Sequence, residues 1–441
     1  MIPDARELQV VVLMGGKGTR LGGVIGNLPK AMAEVEGKPF FSYQFDLLRL
    51  AGFKKFIFCV GFGKEYIYDF FGDGVEFGVK IEYSPDPPGA EGTASALKNA
   101  MLLLEDDFML SYGDSFMDMD YQQALYNYWL LKKSSSGSGM MCILKNNNLY
   151  DKSNIVFENN RIVKYDKKSS QAEMDYIDYG TSFLNKALVD KIPASVGDLS
   201  DFYSMLVRDG LLAGFVTRKR FREIGNSGSL EEFRNFIKQR LSQKNKAIFL
   251  DRDGTLNKFV FNDNIKQFDS PLKPDEFCLI DGVFDALKQM KKHGFLLIVV
   301  TNQPAAAKGK TTLKDIYAIN NRMLDLFREN GVEIDDVMVC PHHQEGSDLA
   351  AEQFLVKKCQ CRKPQAGLLE TAIDKYNIDI GNSYMVGDSS ADILAAKKKS
   401  VRSVFIGKYK KDDSGGLQEC KPDLVFENIL DFAGYLRDTK E

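Results

Sequence analysis

The stretch Ala247-Ile248-Phe249-Leu250-Asp251-Arg252-Asp253-Gly254-Thr255 runs from four apolar residues straight into two carboxylates and a glycine. Such a run reads as a buried strand, and Gly254 lets the backbone turn sharply at its end. Residues two apart in an extended segment point to the same side, so Asp251 and Asp253 can address one phosphate. Ligands of open α/β sheets bind beyond the carboxyl ends of the strands, and a carboxylate placed there can attack phosphorus. An acidic turn that caps a helix has the same five-residue appearance, so the choice rests on what lies downstream.

Downstream, the helical stretch Val283 to His293 precedes Phe295-Leu296-Leu297-Ile298-Val299-Val300, which ends in Thr301-Asn302-Gln303. A hydroxyl and two amides at a strand end can hydrogen-bond phosphoryl oxygens. A third strand, Ser383-Tyr384-Met385-Val386, delivers Gly387-Asp388, with Asp392 one helical turn further on; Asp388 is a candidate metal ligand. Between them stand Cys340-Pro341-His342 and, after sixteen residues, Cys359-Gln360-Cys361. Three thiolates and one imidazole suit a tetrahedral, structural Zn²⁺, with reduced thiols that merely cluster as the alternative. Arg362-Lys363-Pro364 follow at once. A zinc-pinned loop would fix Arg362 to grip the substrate and Lys363 to stabilise the transferring charge.

These motifs resemble the haloacid dehalogenase-like superfamily and, within it, the heptose-bisphosphate and histidinol-phosphate phosphatases, over about residues 246 to 410. The resemblance implies Asp251 as nucleophile, Asp253 as general acid and base, and Mg²⁺ on Asp251, Asp388 and the carbonyl of Asp253. One loop departs from the family: after Gln303 this chain has Pro304-Ala305-Ala306-Ala307-Lys308-Gly309 where Ser-Gly-Ile is usual.

Upstream, Leu8-Gln9-Val10-Val11-Val12-Leu13-Met14 reads as a buried strand that enters Gly15-Gly16-Lys17-Gly18-Thr19-Arg20-Leu21. Backbone N–H groups of such a loop can form an anion nest, with Lys17, Arg20 and, after Pro29, Lys30 adding charge against a triphosphate. Strand and helix patterns then alternate: Phe40 to Ala51 helical, Lys55 to Val60 a strand, Tyr66 to Phe71 helical, Lys80 to Tyr83 a strand. This predicts a parallel-rich sheet. Gly92-Thr93 open a helix over Ala94 to Leu104, and the strand Phe108 to Tyr112 ends in Gly113-Asp114. Asp114 is a candidate Mg²⁺ ligand, although an ordinary turn reads the same.

This half resembles the sugar-1-phosphate nucleotidyltransferases over roughly residues 8 to 235, with their loop pattern matched by Gly15 to Leu21. The resemblance implies nucleotide binding by Gly15, Gly16, Gly18, Thr19, Arg20, Lys30, Gly92 and Thr93, with Arg20 and Lys30 catalytic. It implies sugar binding at Gly180 and Lys167, and Mg²⁺ on Asp114 and Glu223. Its chemistry is attack by a sugar phosphate oxygen on the α-phosphorus of a nucleoside triphosphate, releasing pyrophosphate. The chain departs from the family at Ala31, usually proline, at Asp166 before Lys167, usually glutamate, and at Glu223, usually aspartate.

At 441 residues the chain is long enough for more than one core, and the motifs divide it into two. The expected architecture is α/β with two Rossmann-like domains. A nucleotidyltransferase fold with a mixed sheet spans residues 1–240, and a haloacid dehalogenase-like fold with a zinc loop spans 246–437. The boundary falls near residue 243, in the polar helical stretch Arg234 to Lys246, and Lys132 to Gly139 reads as a surface loop. With 44% hydrophobic and 27% charged residues and a net charge of -3, nothing favours a nucleic-acid partner. No apolar run approaches the ~20 residues that span a bilayer, and a cytoplasmic protein is expected. The seven cysteines do not form a disulfide framework.

Both resemblances point to one pathway. The expected function is removal of the 7-phosphate from D-glycero-D-manno-heptose 1,7-bisphosphate, then transfer of a nucleotidyl group, GMP from GTP, to heptose 1-phosphate. The alternative is an active phosphatase whose first half only binds a nucleotide or sugar.

Overall fold

The computed structural model describes residues 4–438 except 17, 19–20, 88, 90–91, 136, 169–172, 243, 263–265 and 408–419. The chain divides into two compact units, Met1–Lys238 and Gln239–Glu441. The expected boundary residue, Gln243, lies outside the described residues.

The first unit contains, in chain order, β1 (Gln9–Leu13), β2 (Glu34–Val35), β3 (Lys38–Pro39), β4 (Lys55–Val60), β5 (Lys80–Pro85), β6 (Asp107–Tyr112) and β7 (Ser115–Phe116). There follow β8 (Gly139–Lys145), β9 (Ile155–Glu158), β10 (Arg161–Tyr165), β11 (Tyr176–Asn185), β12 (Leu212–Thr217) and β13 (Arg222–Glu223). Nine of them form one sheet in the order β5-β4-β1-β6-β11-β8-β12-β10-β9. Its first four strands are mutually parallel, as the alternation of strands and helices predicts. β11 then enters antiparallel to both β6 and β8, which makes the sheet mixed.

The run through β1 is continuously apolar because helices cover both faces of the sheet. Val10 and Val12 join Phe41, Phe45, Phe58 and Phe71 on one face, while Val11 and Leu13 join Ile57, Leu97 and Phe202 on the other. Each such side chain contributes roughly 1.5–3 kcal/mol by its removal from water. At their carboxyl ends β1, β4, β5 and β6 release Gly15, Gly61, Asp86 and Gly113-Asp114 side by side.

Three local readings change. The helix expected over Ala94 to Leu104 is Thr93–Asn99 followed by a 3-10 turn, Ala100–Leu102. Lys132 and Lys133 belong to the last turn of the helix Tyr121–Ser134, where Lys132 pairs with Asp107 and Lys133 lies over the Trp129 ring. Their amine charges suit a helix C-terminus, so the helix runs further into the Ser-rich stretch than composition implies. The linker helix begins earlier than expected, spanning Ser227–Leu241, because Leu230, Phe233 and Ile237 bury a stripe against Phe40 and Phe116.

The second unit contains β14 (Ala247–Leu250), β15 (Val260–Asn262), β16 (Gln267–Asp269), β17 (Leu296–Asn302), β18 (Asp336–Cys340), β19 (Tyr384–Gly387), β20 (Arg402–Ile406) and β21 (Leu424–Phe426). Six of these make a sheet of order β18-β17-β14-β19-β20-β21, every pairing in it parallel. β14 is where the strand order reverses. In open parallel sheets that reversal leaves a crevice beyond the strand ends, and Asp251 is the first residue after β14. Among the described residues, no helix is long and apolar enough to cross a membrane.

Candidate active sites

The second unit brings its site together at the ends of β14, β17 and β19. Asp251 is held by its own backbone, whose N–H donates to Val386 O at 2.9 Å. Lys363 reaches it from the loop after the cysteines: its Nζ lies 2.6 Å from Asp251 Oδ1, 2.6 Å from Asp392 Oδ1 and 2.7 Å from Val300 O. Burial works against this ammonium, but the charges of Asp251 and Asp392 outweigh it and hold its pKa above the ordinary lysine range. The Asn302 amide fixes Lys363 from both sides, donating to its carbonyl at 2.9 Å and accepting from its N–H at 3.0 Å. Asn302, expected to hydrogen-bond phosphate, uses one Nδ2 donor and one Oδ1 lone pair to position Lys363, which leaves its second amide N–H for another acceptor.

Asp251, Asp388 and Asp392 each present an oxygen within 4.8 Å of the others. Burial first, then mutual repulsion, pushes Asp251 up to about 8 and Asp388 up to about 7, with Lys363 opposing both shifts. Crowded carboxylates of this kind fit a divalent cation, which would favour their ionised forms. Asp392 was visible in the sequence only as a spacing from Asp388. Here it is fully buried, accepts from Ser389 N and Oγ at 3.1 and 2.5 Å, and pairs with Lys363. Gly254 has φ +83°, and a Cβ there would lie 2.0 Å from Asp388 Oδ2, so only glycine lets the loop pass this carboxylate.

Asp253 is built differently from its neighbour. Burial raises its proton affinity, but Arg252 and hydrogen bonds from Gln303, Asn257 and Arg252 together hold the carboxyl below its usual range. Gln303 Nε2 donates to Oδ2 at 2.6 Å, and Asn257 Nδ2 donates to Oδ1 at 2.9 Å. Arg252, fully buried, is in turn held by Asn320 Oδ1 at 2.7 Å. In this arrangement Asp253 is held as the carboxylate. Asn320 carried no sequence signal of this role, because its contact with Arg252 spans 68 residues, whereas Arg252 and Asn257 lie one and four residues from Asp253 and only their orientation depends on the fold. Thr301 is buried and accepts from Gln303 Nε2 at 2.8 Å.

The four metal-type residues of the loop converge as their spacing suggested. Cys340 Sγ lies 3.6 Å from Cys359 Sγ and 3.2 Å from Cys361 Sγ, and His342 Nδ1 lies 3.2 Å from Cys361 Sγ. Zn–S bonds of about 2.3 Å in a tetrahedron imply sulfurs somewhat under 4 Å apart, so the cluster can hold such an ion with little movement. Its hydrogen bond to Cys340, then burial, pushes the Cys361 thiol up to about 12, and a bound cation is what would hold it as thiolate. Arg362 donates to His342 O at 3.4 Å, which ties the basic pair to this knot.

In the first unit, Lys30 Nζ donates to Asp114 Oδ2 at 3.0 Å, and Gly18 packs on the Lys30 stem. Gly15 lies against Asp86 and Gly61, while Lys17, Thr19 and Arg20 lie outside the described residues. β13 pairs antiparallel with β7, in the register Glu223 opposite Ser115, which sets Glu223 beside Asp114. The Ile224 N–H donates to Asp114 O at 3.0 Å. Although Glu223 is exposed as a residue, its carboxyl is raised, by burial first and then by the charge of Asp114.

Lys167 Nζ pairs with buried Asp178 at 3.3 Å, and the charge of Asp178 raises its pKa. Asp178 also accepts from Gly180 N at 2.9 Å, so one carboxylate joins the two expected sugar residues. Asp178 was not singled out in the sequence; its place two residues before Gly180 is the signal that could have found it. Gly92 has φ +98°, and its missing side chain makes room for Gly197 O, which a Cβ would meet at 2.1 Å. Thr93 Oγ1 accepts from Leu199 N at 2.9 Å, so the turn expected to bind nucleotide is anchored to the start of the helix Leu199–Arg208.

Comparison with known proteins follows the same division. Residues 9–240 match the nucleotidyl transferase family and residues 360–432 the HAD-hydrolase-like family. The chain is 38% identical over 193 residues to the D-glycero-beta-D-manno-heptose-1,7-bisphosphate 7-phosphatase of Haemophilus ducreyi, covering 43% of this chain and 98% of that one. With the enzyme of the same description from Escherichia coli K12 it shares 42% identity over 155 residues, 35% of this chain and 75% of that one. Among solved structures, HddC from Yersinia pseudotuberculosis complexed with GMP-PN aligns with a TM-score of 0.43 and 23% identity, over 52% of this chain and 100% of that one.

Proposed function

The chain belongs to the nucleotidyl transferase family and, in its second unit, to the family of the D-glycero-beta-D-manno-heptose-1,7-bisphosphate 7-phosphatases, and on that premise we propose that it is a bifunctional enzyme of nucleotide-activated heptose synthesis. The second unit removes the 7-phosphate of the bisphosphate, and the first joins the remaining 1-phosphate to a nucleotide, with GTP as donor. The observation that carries this reading is the convergence of Asp251, Asp388, Asp392 and Lys363 at the switch point of the sheet, in the same chain as the Lys30, Asp114 and Glu223 centre.

Asp251 attacks the phosphorus and becomes phosphorylated, while Lys363 beside it balances charge on the transferring group. Asp253 starts ionised under the hold of Arg252. The approach of an anionic phosphate opposes that hold and raises its proton affinity, so that Asp253 takes a proton from solvent, gives it to the leaving oxygen as the ester P–O bond breaks, and then takes one from the water that cleaves phosphorylated Asp251 to free phosphate. Asp251, Asp388 and the Asp253 carbonyl would hold Mg²⁺, which supplies charge against the phosphoryl oxygens when bound. In the first unit Lys30 orients the triphosphate, Lys167 the sugar phosphate, and Asp114 with Glu223 would hold the second Mg²⁺.

The direct test offers the purified chain heptose 1,7-bisphosphate and, separately, heptose 1-phosphate with each common triphosphate. Phosphate release from the first and pyrophosphate release from the second, greatest with GTP, are expected. Phosphate release with no pyrophosphate from any triphosphate would make the first half a binding module.

We place a structural Zn²⁺ in the knot of Cys340, His342, Cys359 and Cys361. Elemental analysis of chelator-free protein is expected to find one zinc per chain. Stripping it should lower phosphatase turnover more than nucleotidyl transfer, since Arg362 and Lys363 lose their anchor. Equal losses would count against that local role.

A further inference from the structure

We propose that Phe259 forms the contact surface for the polyol chain of the phosphatase substrate, and that Phe261 and Phe268 extend this surface away from the catalytic carboxylates. The inference rests on the sugar-phosphatase reading above and assigns a substrate-contacting role that the nucleophile, metal and zinc residues do not supply.

The geometry begins at Gly254. A Cβ built there would lie 2.0 Å from Asp388 Oδ2 and 2.8 Å from Phe259 Cε2. The ring of Phe259 and the carboxylate of Asp388 therefore approach the same point of the catalytic loop. Despite this position the ring is 43% exposed. Large apolar side chains bordering a cluster of charged groups are ordinarily covered, and a half-open one at the mouth of a site is a surface for something to rest on.

The aromatic character continues outward. Phe261, in the middle of β15, follows two residues after Phe259. In the β15–β16 hairpin Phe261 is in register with Phe268, their rings edge-to-face with centroids 5.3 Å apart. Phe261 is 48% and Phe268 70% exposed. The base of the hairpin is tied down by an ion pair between Lys310 and Asp269.

The chemistry of the ring face selects its occupant. Its π cloud is electron-rich and repels an anion, so the phosphate itself belongs with Lys363 and Arg362. The C–H bonds of a carbohydrate carry slight positive charge and suit that face. The carbon chain of a phosphate ester held at Asp251 must lie outside the carboxylate cluster, and Phe259, which meets the same point of the loop as Asp388, is an exposed apolar surface bordering that cluster. Contact there would hold the leaving oxygen in line and contribute binding energy remote from the reacting bond.

The experiment compares two substrates with Phe259→Ala, Phe259→Leu and Phe259→Tyr. One is heptose 1,7-bisphosphate; the other is acetyl phosphate, which has no polyol chain. Phe259→Ala is expected to lower kcat/KM on the bisphosphate at least about tenfold more than on acetyl phosphate, a ratio typical of losing an apolar substrate contact. Phe259→Tyr should restore most of the difference by restoring the ring, and Phe259→Leu should not. Phe261→Ala and Phe268→Ala should show smaller effects of the same sign. An equal loss on both substrates, or no loss on either, overturns the proposal. Should the wild type hydrolyse acetyl phosphate but not the bisphosphate, the failure lies in the substrate reading, and the present inference falls with it.

Discussion

Replacing Asp251 by asparagine is expected to lower phosphate release by at least about 10⁴-fold, the scale seen when a nucleophile is removed from an active site. The amide is close in volume but cannot attack phosphorus, and it weakens the cluster with Asp388 and Asp392. The protein should stay folded, because Lys363 keeps its contacts with Asp392 and Val300 O. Supplied with heptose 1-phosphate and GTP, the variant should still make nucleotide-heptose, whereas from the bisphosphate it should make none. Wild-type-like phosphate release would sink the assignment of Asp251, and ready nucleotidyl transfer to the bisphosphate would sink the order of the two steps.

The same substitution has a signature in stability. Burial pushes Asp251 up to about 8 against the opposing charge of Lys363, so without a cation this carboxyl binds its proton more tightly in the folded chain than in the unfolded one. A carboxyl raised in this way contributes stability that is fully present below its ordinary value and is lost as the pH rises toward 8. Without added divalent cation, the melting temperature of the wild type should fall over that rise, and that of Asp251→Asn should fall less. Parallel curves for the two proteins would show that the buried carboxyl is not the source.

Asp114→Ala is expected to cut pyrophosphate release by about 10²–10³-fold or more, the usual cost of losing one electrostatic contact to a transition state. The substitution removes the partner of Lys30 and one of two carboxylates available to Mg²⁺, while its backbone carbonyl still accepts from Ile224 N. Phosphate release should be unchanged, since none of the residues named for that reaction lies in the first unit. Glu223→Asp should keep or raise transfer if the two carboxylates work as a metal pair, because β13 and β7 fix the backbone whichever acid is present. Full transfer activity in Asp114→Ala would remove that aspartate from the site.

Much of this molecule is legible along the chain. Asp251 and Asp253 follow an apolar run because the strand must be buried on both faces while its end must meet a charged ligand. Cys340, His342, Cys359 and Cys361 are legible for a related reason: few residue types bind a soft metal, and short spacings bring them together locally. Other features escape such reading. The reversal of strand order at β14 depends on which neighbours β17 and β19 become, a matter of packing over a hundred residues. That Asn302 clamps Lys363, that Arg252 and Asn320 hold Asp253, and that Asp178 joins Lys167 to Gly180 are contacts between segments far apart or between side chains with several possible partners.

The two α/β halves, the carboxylates and cations available to each, and the four donors of the Cys–His cluster are readable from the order of residues alone. These follow from burial and from the scarce chemistry of Asp, Lys, Cys and His. Which carboxylate is crowded and which is held ionised depends on the folded chain. So does the seating of Lys363 by the Asn302 amide, and the place of Phe259 beside the catalytic loop. Proton affinity and orientation depend on distance to charges and donors, and those distances exist only once the chain has folded.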